Sequence, residues 1–517
     1  MRKLALLILV QLFLGSSLLV AQDHDQIVER IVYEATENSH VEDLAHHLLD
    51  VIGPRLVGTP QMQHAHDWAV ETFDGWGISA RNEQYGEWRG WERGITHVDM
   101  ISPRVVTLEA MQLAWSPPTP TGGVEAEVVI IPDVVNENEF NEWLPNAEGK
   151  FVLISMLQPT GRPDYNWEEF ATVESLEKIR DERQQATIEW RERIQRTGHN
   201  NRTLVEALED AGAAGIIMSN WSQGFGTNKV FGANTRTIPT IDMLLEDYGM
   251  IFRMIESGNT PTLRVNAESV DHGAVPTFNT IAEIPGTEFP DEYIILSAHY
   301  DSWEAGTGAT DNGTGSVTMM EIARILKEVY PNPKRTILVG LWGGEEQGLN
   351  GSRAFVEDNP EIVEGIQAVF NQDNGTGRVV QINGQGFLHS YDFLTRWMTA
   401  VPNDVSTHIS TTFPGTPSGG GSDHSSFVAA GAPAFMMSSL SWSYWNYTWH
   451  TNRDTFDKIV FDDVKNNVIL IATMAYMASE DPNKTSRERR VLPINPRTGE
   501  QMSWPQMRSP NRSGGLD

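Results

Sequence analysis

The hydrophobic pattern of this chain changes character at about Asp271. Beyond that point, short apolar runs alternate with stretches in which apolar positions recur every three or four residues. The runs at Tyr293 to Ala298, Arg335 to Trp342, Gly365 to Asn371 and Ala434 to Ser438 predict strands, and the periodic stretches at Gly315 to Val329, Leu388 to Thr399 and Asp462 to Met477 predict helices. This alternation predicts an α/β sheet with helices on both faces, a fold whose ligands gather at the carboxyl ends of the strands.

Upstream the pattern is less regular. Helical periodicity covers Val41 to Val51 and Met62 to Trp76, and a strand-like stretch follows around Ile95 to Leu108. Ser116-Pro117-Pro118-Thr119-Pro120-Thr121-Gly122-Gly123 marks a boundary, because neither helix nor strand tolerates that density of Pro and Gly. Beyond it, Val128 to Ile131, Phe151 to Ser155 and Gly215 to Met218 read as strands and Thr203 to Ala211 as a helix. Trp167 to Arg196 is rich in Glu, Arg and Gln and free of Gly and Pro. It predicts a solvated helical arm laced by ion pairs, with a lid or a contact between two copies (a homodimer) as the alternative.

The resulting division expects an N-terminal part of the catalytic domain over 22–118, an insertion over 119–270 carrying the charged arm at 163–198, and a catalytic domain over 271–481. The Pro-, Arg-, Ser- and Asn-rich tail, 482–517, is expected to be extended or disordered. At the other end, Arg2-Lys3, the apolar run Leu4 to Val20 and Ala21-Gln22 read as a cleaved secretory signal over 1–21. The run is short for a bilayer span, so the expectation is a secreted or periplasmic protein with no stable membrane span after processing.

Composition narrows the chemistry. The chain has 517 residues, long enough for several domains and a large core. Its formal charge of -31 falls to -33 when Arg2 and Lys3 leave with the signal, which argues against nucleic acid as a partner. Cysteine is absent, so disulfides and thiolate ligands are excluded.

The candidate chemistry lies just past the predicted strands. His299-Tyr300-Asp301, Asp311-Asn312-Gly313 and Glu345-Glu346 are followed at a distance by Asp373, and by His450 in Trp449-His450-Thr451-Asn452. Imidazoles and carboxylates gathered at strand ends are what a hydrolase uses to hold Zn²⁺ and activate water. Of the pair His299 and Asp301, one can bind metal while the other orients it. Adjacent glutamates after a strand point in different directions, which permits one to bind metal and the other to act as general base.

His-Tyr-Asp-Ser at 299–302, Thr-Asp-Asn-Gly-Thr-Gly at 310–315, Gly-Gly-Glu-Glu-Gln-Gly-Leu-Asn-Gly-Ser at 343–352, Ser-Asp-His-Ser-Ser-Phe at 422–427 and His450 with Asp454-Thr455 together resemble the co-catalytic di-zinc exopeptidases. That family includes secreted bacterial aminopeptidases and carboxypeptidase Q. The match covers about 275 to 480, and Gly53-Pro-Arg-Leu-Val-Gly-Thr-Pro60 extends it upstream. The resemblance implies a zinc-exopeptidase (phosphorylase/hydrolase-like) sheet sandwiched by helices, with an inserted, mostly-β protease-associated domain. It implies two Zn²⁺ per chain, one held by His299, Asp311 and Asp373 and the other by Asp311, Glu346 and His450. Asp301 would orient His299, and Glu345 would take a proton from the metal-bridging water and pass it to the leaving amine. It also implies a cis peptide between Asp311 and Asn312.

The substrate would then be a peptide cut at a terminal bond. Trp442, Tyr444, Trp445, Tyr447 and Trp449 crowd the approach to His450. Trp445 and Tyr447 are candidates for a side-chain pocket, and His424 is a candidate contact to substrate. An aminopeptidase is the leading expectation and a carboxypeptidase Q-like dipeptidase the alternative. A glutaminyl cyclase with a single zinc and a binding protein that has lost catalysis are weaker rivals, because every ligand position is filled.

Overall fold

The computed structural model describes residues 24–515; the expected signal, 1–21, lies outside the described residues. The core of the catalytic part is a run of strands in which Arg335–Trp342 lies centrally, every residue of it buried. An unbroken apolar run covered on both faces is what a central strand of a parallel sheet requires. Arg335–Trp342 pairs in parallel with Phe289–His299, which pairs in parallel with Ile366–Asn371, which in turn pairs in parallel with Ala434–Ser439. Their carboxyl ends therefore lie along one edge. Helices Thr314–Val329 and Phe461–Glu480 bury their apolar residues against this sheet.

Two long antiparallel strands, Ser79–Ser102 and Thr262–Ile284, join the catalytic part to the inserted unit. The second pairs with Arg335–Trp342 near its end and with Val124–Ile130 near its beginning, so a single sheet runs through both parts. The expected boundary at 270 thus falls inside a continuous strand.

The inserted unit is more helical than the mostly-β expectation. Val124–Ile130, Phe151–Leu153, Gly215–Met218 and Thr240–Met243 form a parallel ladder. Helices Asn201–Asp210 and Leu245–Glu256 pack on it through Leu204, Val205 and Leu208, and through Tyr248, Ile251 and Phe252. Parallel strands need crossover helices, which explains the helical content. The charged stretch forms helix Val173–Arg196, capped by the Thr172 side chain and tethered through buried Ile179 and Ile194. No described helix is long and apolar enough to cross a membrane.

The tail is extended but fastened. The Trp504 indole N–H donates to the Val428 carbonyl at 2.9 Å, and Ser513–Gly514 pairs with Glu87–Trp88 of the first long strand. These contacts make it an ordered strap, and the disordered alternative does not hold for its described part.

Candidate metal centre

His299 closes strand Phe289–His299, and its ring is set by the backbone that follows. Its Nδ1 donates to the Asp301 carbonyl at 3.0 Å, while the Asp301 carboxylate is 3.6 Å away. Nε2 then presents its lone pair 3.0 Å from Asp373 Oδ1 and 3.3 Å from Asp311 Oδ1. Asp373 stands two residues past strand Ile366–Asn371, and Asp311 lies in the turn before helix Thr314–Val329.

Asp311 also faces the other imidazole. Its Oδ2 is 3.3 Å from His450 Nε2, and Glu346 Oε2 is 2.9 Å from the same nitrogen. Two groups result, His299 with Asp311 and Asp373, and Asp311 with Glu346 and His450, each with its ligand atoms within 4.8 Å of one another. Asp311 Oδ2, Glu346 Oε1 and His450 Nδ1 are buried without a hydrogen-bond partner. Carboxylates packed this closely, with orphaned oxygens, form a site suited to a cation, and O/N donors in threes suit Zn²⁺. The donor set therefore fits the metal that the resemblance implies.

The electrostatics agree with that demand. Burial opposes protonation of His299, yet the carboxylates of Asp373 and Glu345 outweigh it and raise its proton affinity well above the usual imidazole range. Burial pushes the Glu345 carboxyl well up; His299 partly counters this, while Asp373, Asp423 and Glu346 add to it. Glu346 is raised in the same way, by burial first and then by Asp311. A carboxylate whose proton affinity is raised is a better proton acceptor.

The turn carrying the two glutamates depends on Gly343 and Gly344. A Cβ on Gly343 would lie 2.4 Å from the Phe278 carbonyl oxygen, and Gly344 has a φ of 66°. Only glycine fits both demands.

Several supports lie outside the expected site residues. The buried Arg55 donates to the carbonyls of Tyr300 at 2.8 Å, Thr307 at 2.9 Å and Gly308 at 3.1 Å, holding the loop between His299 and Asp311. Asp454 accepts the N–H groups of Thr310 at 2.8 Å and Asp311 at 3.0 Å, and burial raises its carboxyl to about 7. The peptide between Asp311 and Asn312 is cis. The inserted unit clamps the His450 loop. Val230 N–H donates to the His450 carbonyl at 2.9 Å, the Phe231 ring meets the His450 ring edge-on at 5.2 Å, and the Lys229 ammonium lies 4.2 Å from the Trp449 ring centre. His450 itself has a φ of 60°, a conformation that needs such support. Arg55 and Asp454 were visible in the sequence only as members of motifs; residues 229–231 gave no signal there.

A cleft of about 730 Å³ opens over Asp311, Glu346, Asp373 and His450 and is lined also by Glu345, His424 and Trp445. His424 heads helix His424–Ala430, where burial lowers its ring to about 4. Tyr447 does not line this cleft; its hydroxyl is 2.7 Å from that of Tyr165, on the short helix Asp164–Phe170 before the charged arm. Tyr444, one turn earlier on the same short helix, faces the cleft in its place.

Residues 279–475 match Peptidase family M28. This stretch of the chain is similar to that family. Carboxypeptidase Q of Mus musculus is 26% identical to the chain over 462 residues, covering 88% of each protein. The Bos taurus protein of the same name is 28% identical over 355 residues, covering 68% of this chain and 67% of the relative. A Peptidase M28 precursor from Shewanella amazonensis SB2B has the same fold, with a TM-score of 0.65 at 24% identity over 91% of this chain and 99% of that one. BSAP, a zinc aminopeptidase from Bacillus subtilis, aligns with a TM-score of 0.54 at 18% identity over 87% and 96%.

Proposed function

We propose that the chain is an exported two-zinc exopeptidase that removes the N-terminal residue of peptides. The observation that carries this reading is the shared carboxylate. Asp311 turns one oxygen toward His299 and the other toward His450, each 3.3 Å away, so two ligand sets meet at one residue. His299, Asp311 and Asp373 would hold one zinc, and Asp311, Glu346 and His450 the second. Zinc bound there supplies Lewis acidity, polarising a peptide carbonyl and making water more acidic.

The protein's own groups supply the rest. Asp301 holds the Glu345–Glu346 turn, Glu345 takes a proton from the attacking water at its carboxylate and delivers it to the leaving nitrogen, and His424 is placed to touch the substrate backbone. The acidic residues beside His450 favour a free ammonium group on the bound peptide. Trp445 and Tyr444 offer apolar surface for the terminal side chain. The reading as a dipeptidase is supported by the carboxypeptidase Q relatives that match 88% of the chain.

Replacing Glu345 with Gln tests the mechanism. The variant is expected to bind zinc as the parent does and to lose about 10²- to 10⁴-fold in kcat. Retained turnover on a panel of amino-acid anilides and dipeptides would remove Glu345 from the role of base.

A further inference from the structure

Two guanidinium groups line the same cleft as Glu345 and Asp373: those of Arg353 and Arg508. Neither forms an ion pair or a side-chain hydrogen bond with a described residue. This is unexpected in a chain with 69 acidic and 38 basic residues, where a surface arginine has carboxylates in easy reach. The two cations are also close enough that Arg508 lowers the proton affinity of Arg353, after burial itself. Asp423 and Glu345 offset part of this repulsion at Arg353 without forming an ion pair with it, and an anionic ligand would offset the rest.

Both are held there by the fold. Arg353 is on helix Asn350–Asp358, which begins just after the Glu345–Glu346 turn. Arg508 comes from the tail, which is fastened on either side of it. On one side Trp504 donates to Val428 and lies under the Arg489 guanidinium, 4.6 Å from its ring centre. On the other, the Asn511 N–H donates to Asn350 Oδ1 at 2.8 Å and Arg512 grips Asp358 at 2.7 and 3.0 Å. The strap therefore crosses the start of the Arg353 helix and delivers Arg508 to the cleft.

We propose that Arg353 and Arg508 form a carboxylate-binding subsite, so that the enzyme acts on short peptides, dipeptides and tripeptides, whose free C-terminus reaches it. This rests on the exopeptidase reading above and adds the substrate class. A guanidinium offers a planar fork of donors that matches a carboxylate. The cleft volume of about 730 Å³ falls in the range that encloses a small ligand. Charge is complementary at both termini of such a substrate, with carboxylates for its ammonium group and guanidinium groups for its carboxylate. The subsite would also bring the tail into substrate selection.

The test uses the zinc-loaded full chain with leucyl-alanine and leucyl-alaninamide, which differ only at the C-terminus. The parent is expected to favour the free acid in kcat/KM, and Arg508→Gln and Arg353→Gln are each expected to reduce that preference by about tenfold to a hundredfold through KM for the acid. Arg508 is exposed, so its replacement leaves the fold intact and keeps the test decisive if Arg353→Gln unfolds. Equal rates on acid and amide in the parent, or a preference unmoved by Arg508→Gln, would overturn the subsite alone. Hydrolysis of neither compound would overturn the exopeptidase reading, and the subsite with it.

Discussion

The Asp301 carboxylate accepts the backbone N–H of Glu345 at 3.1 Å. Its other oxygen accepts that of Glu346 at 3.2 Å, while the Asp301 main-chain carbonyl holds the His299 ring. One residue thus ties the end of strand Phe289–His299 to the turn that presents both glutamates. The orienting role implied by the resemblance is divided between its backbone and its side chain.

Asp301→Asn should disturb this tie, because an amide has only one accepting oxygen and its NH₂ would face one of the two N–H groups. Zinc affinity is expected to fall about 10- to 100-fold, with a parallel fall in turnover. Competition with a chelator measures the first and steady-state kinetics the second. Parental affinity in the variant would contradict the role assigned here.

Phe231 belongs to the inserted unit yet packs against His450, so Phe231→Ala should act on one metal position more than the other. The ring contact at 5.2 Å disappears while His299, Asp311 and Asp373 keep their surroundings. The expected result is biphasic zinc release, with one ion weakened about tenfold relative to the other. Uniform weakening of both ions would show that the inserted unit does not position His450.

His66 gives the fold a predictable acid sensitivity. Its ring is buried against Tyr300 and Phe278, its Nδ1 lies 2.8 Å from Thr280 Oγ1, and burial lowers its proton affinity to about 3. The folded state keeps it neutral, whereas the unfolded chain takes up a proton below about 6.5. Stability is therefore whole above that value and is lost as the pH falls from 6.5 toward 3, by about 2 kcal/mol at pH 5 from this group. Denaturant unfolding at pH 7 and pH 5 should show His66→Gln losing less stability on acidification than the parent does. An equal loss in both would assign the acid sensitivity to other groups.

Much of the catalytic part was legible in the chain because its strands are buried on both faces. Runs such as Arg335 to Trp342 carry that burial in their composition, and helix Thr314–Val329 carries a clear apolar stripe. The residues that meet in the two histidine-carboxylate groups were legible for a related reason: strand ends are where loops can bring scattered residues together. The long strand Ser79–Ser102 was only partly visible, since it bends through irregular pairing at Gly86, Gly90 and Arg93 and mixes Trp, Arg and Glu without regular alternation. The aromatic cluster before His450 does not say in sequence which ring turns to the cleft. The short helix Tyr444–Tyr447 points Tyr444 inward and leaves Tyr447 to Tyr165. Arg508 could not be found from sequence at all. It sits in a tail without periodicity, and its place depends on anchors at Val428, Asn350 and Asp358, 76 to 161 residues from the tail residues they hold.

The shared carboxylate of Asp311 is the centre of the account, and zinc stoichiometry tests it most directly. Equilibrium dialysis of the purified full chain against zinc, followed by elemental analysis, should give two ions per chain for the parent. Asp373→Ala and Glu346→Ala should each retain one, and Asp311→Ala should weaken both. A parent that binds a single zinc, or an Asp311→Ala variant that still holds two with parental affinity, would contradict it.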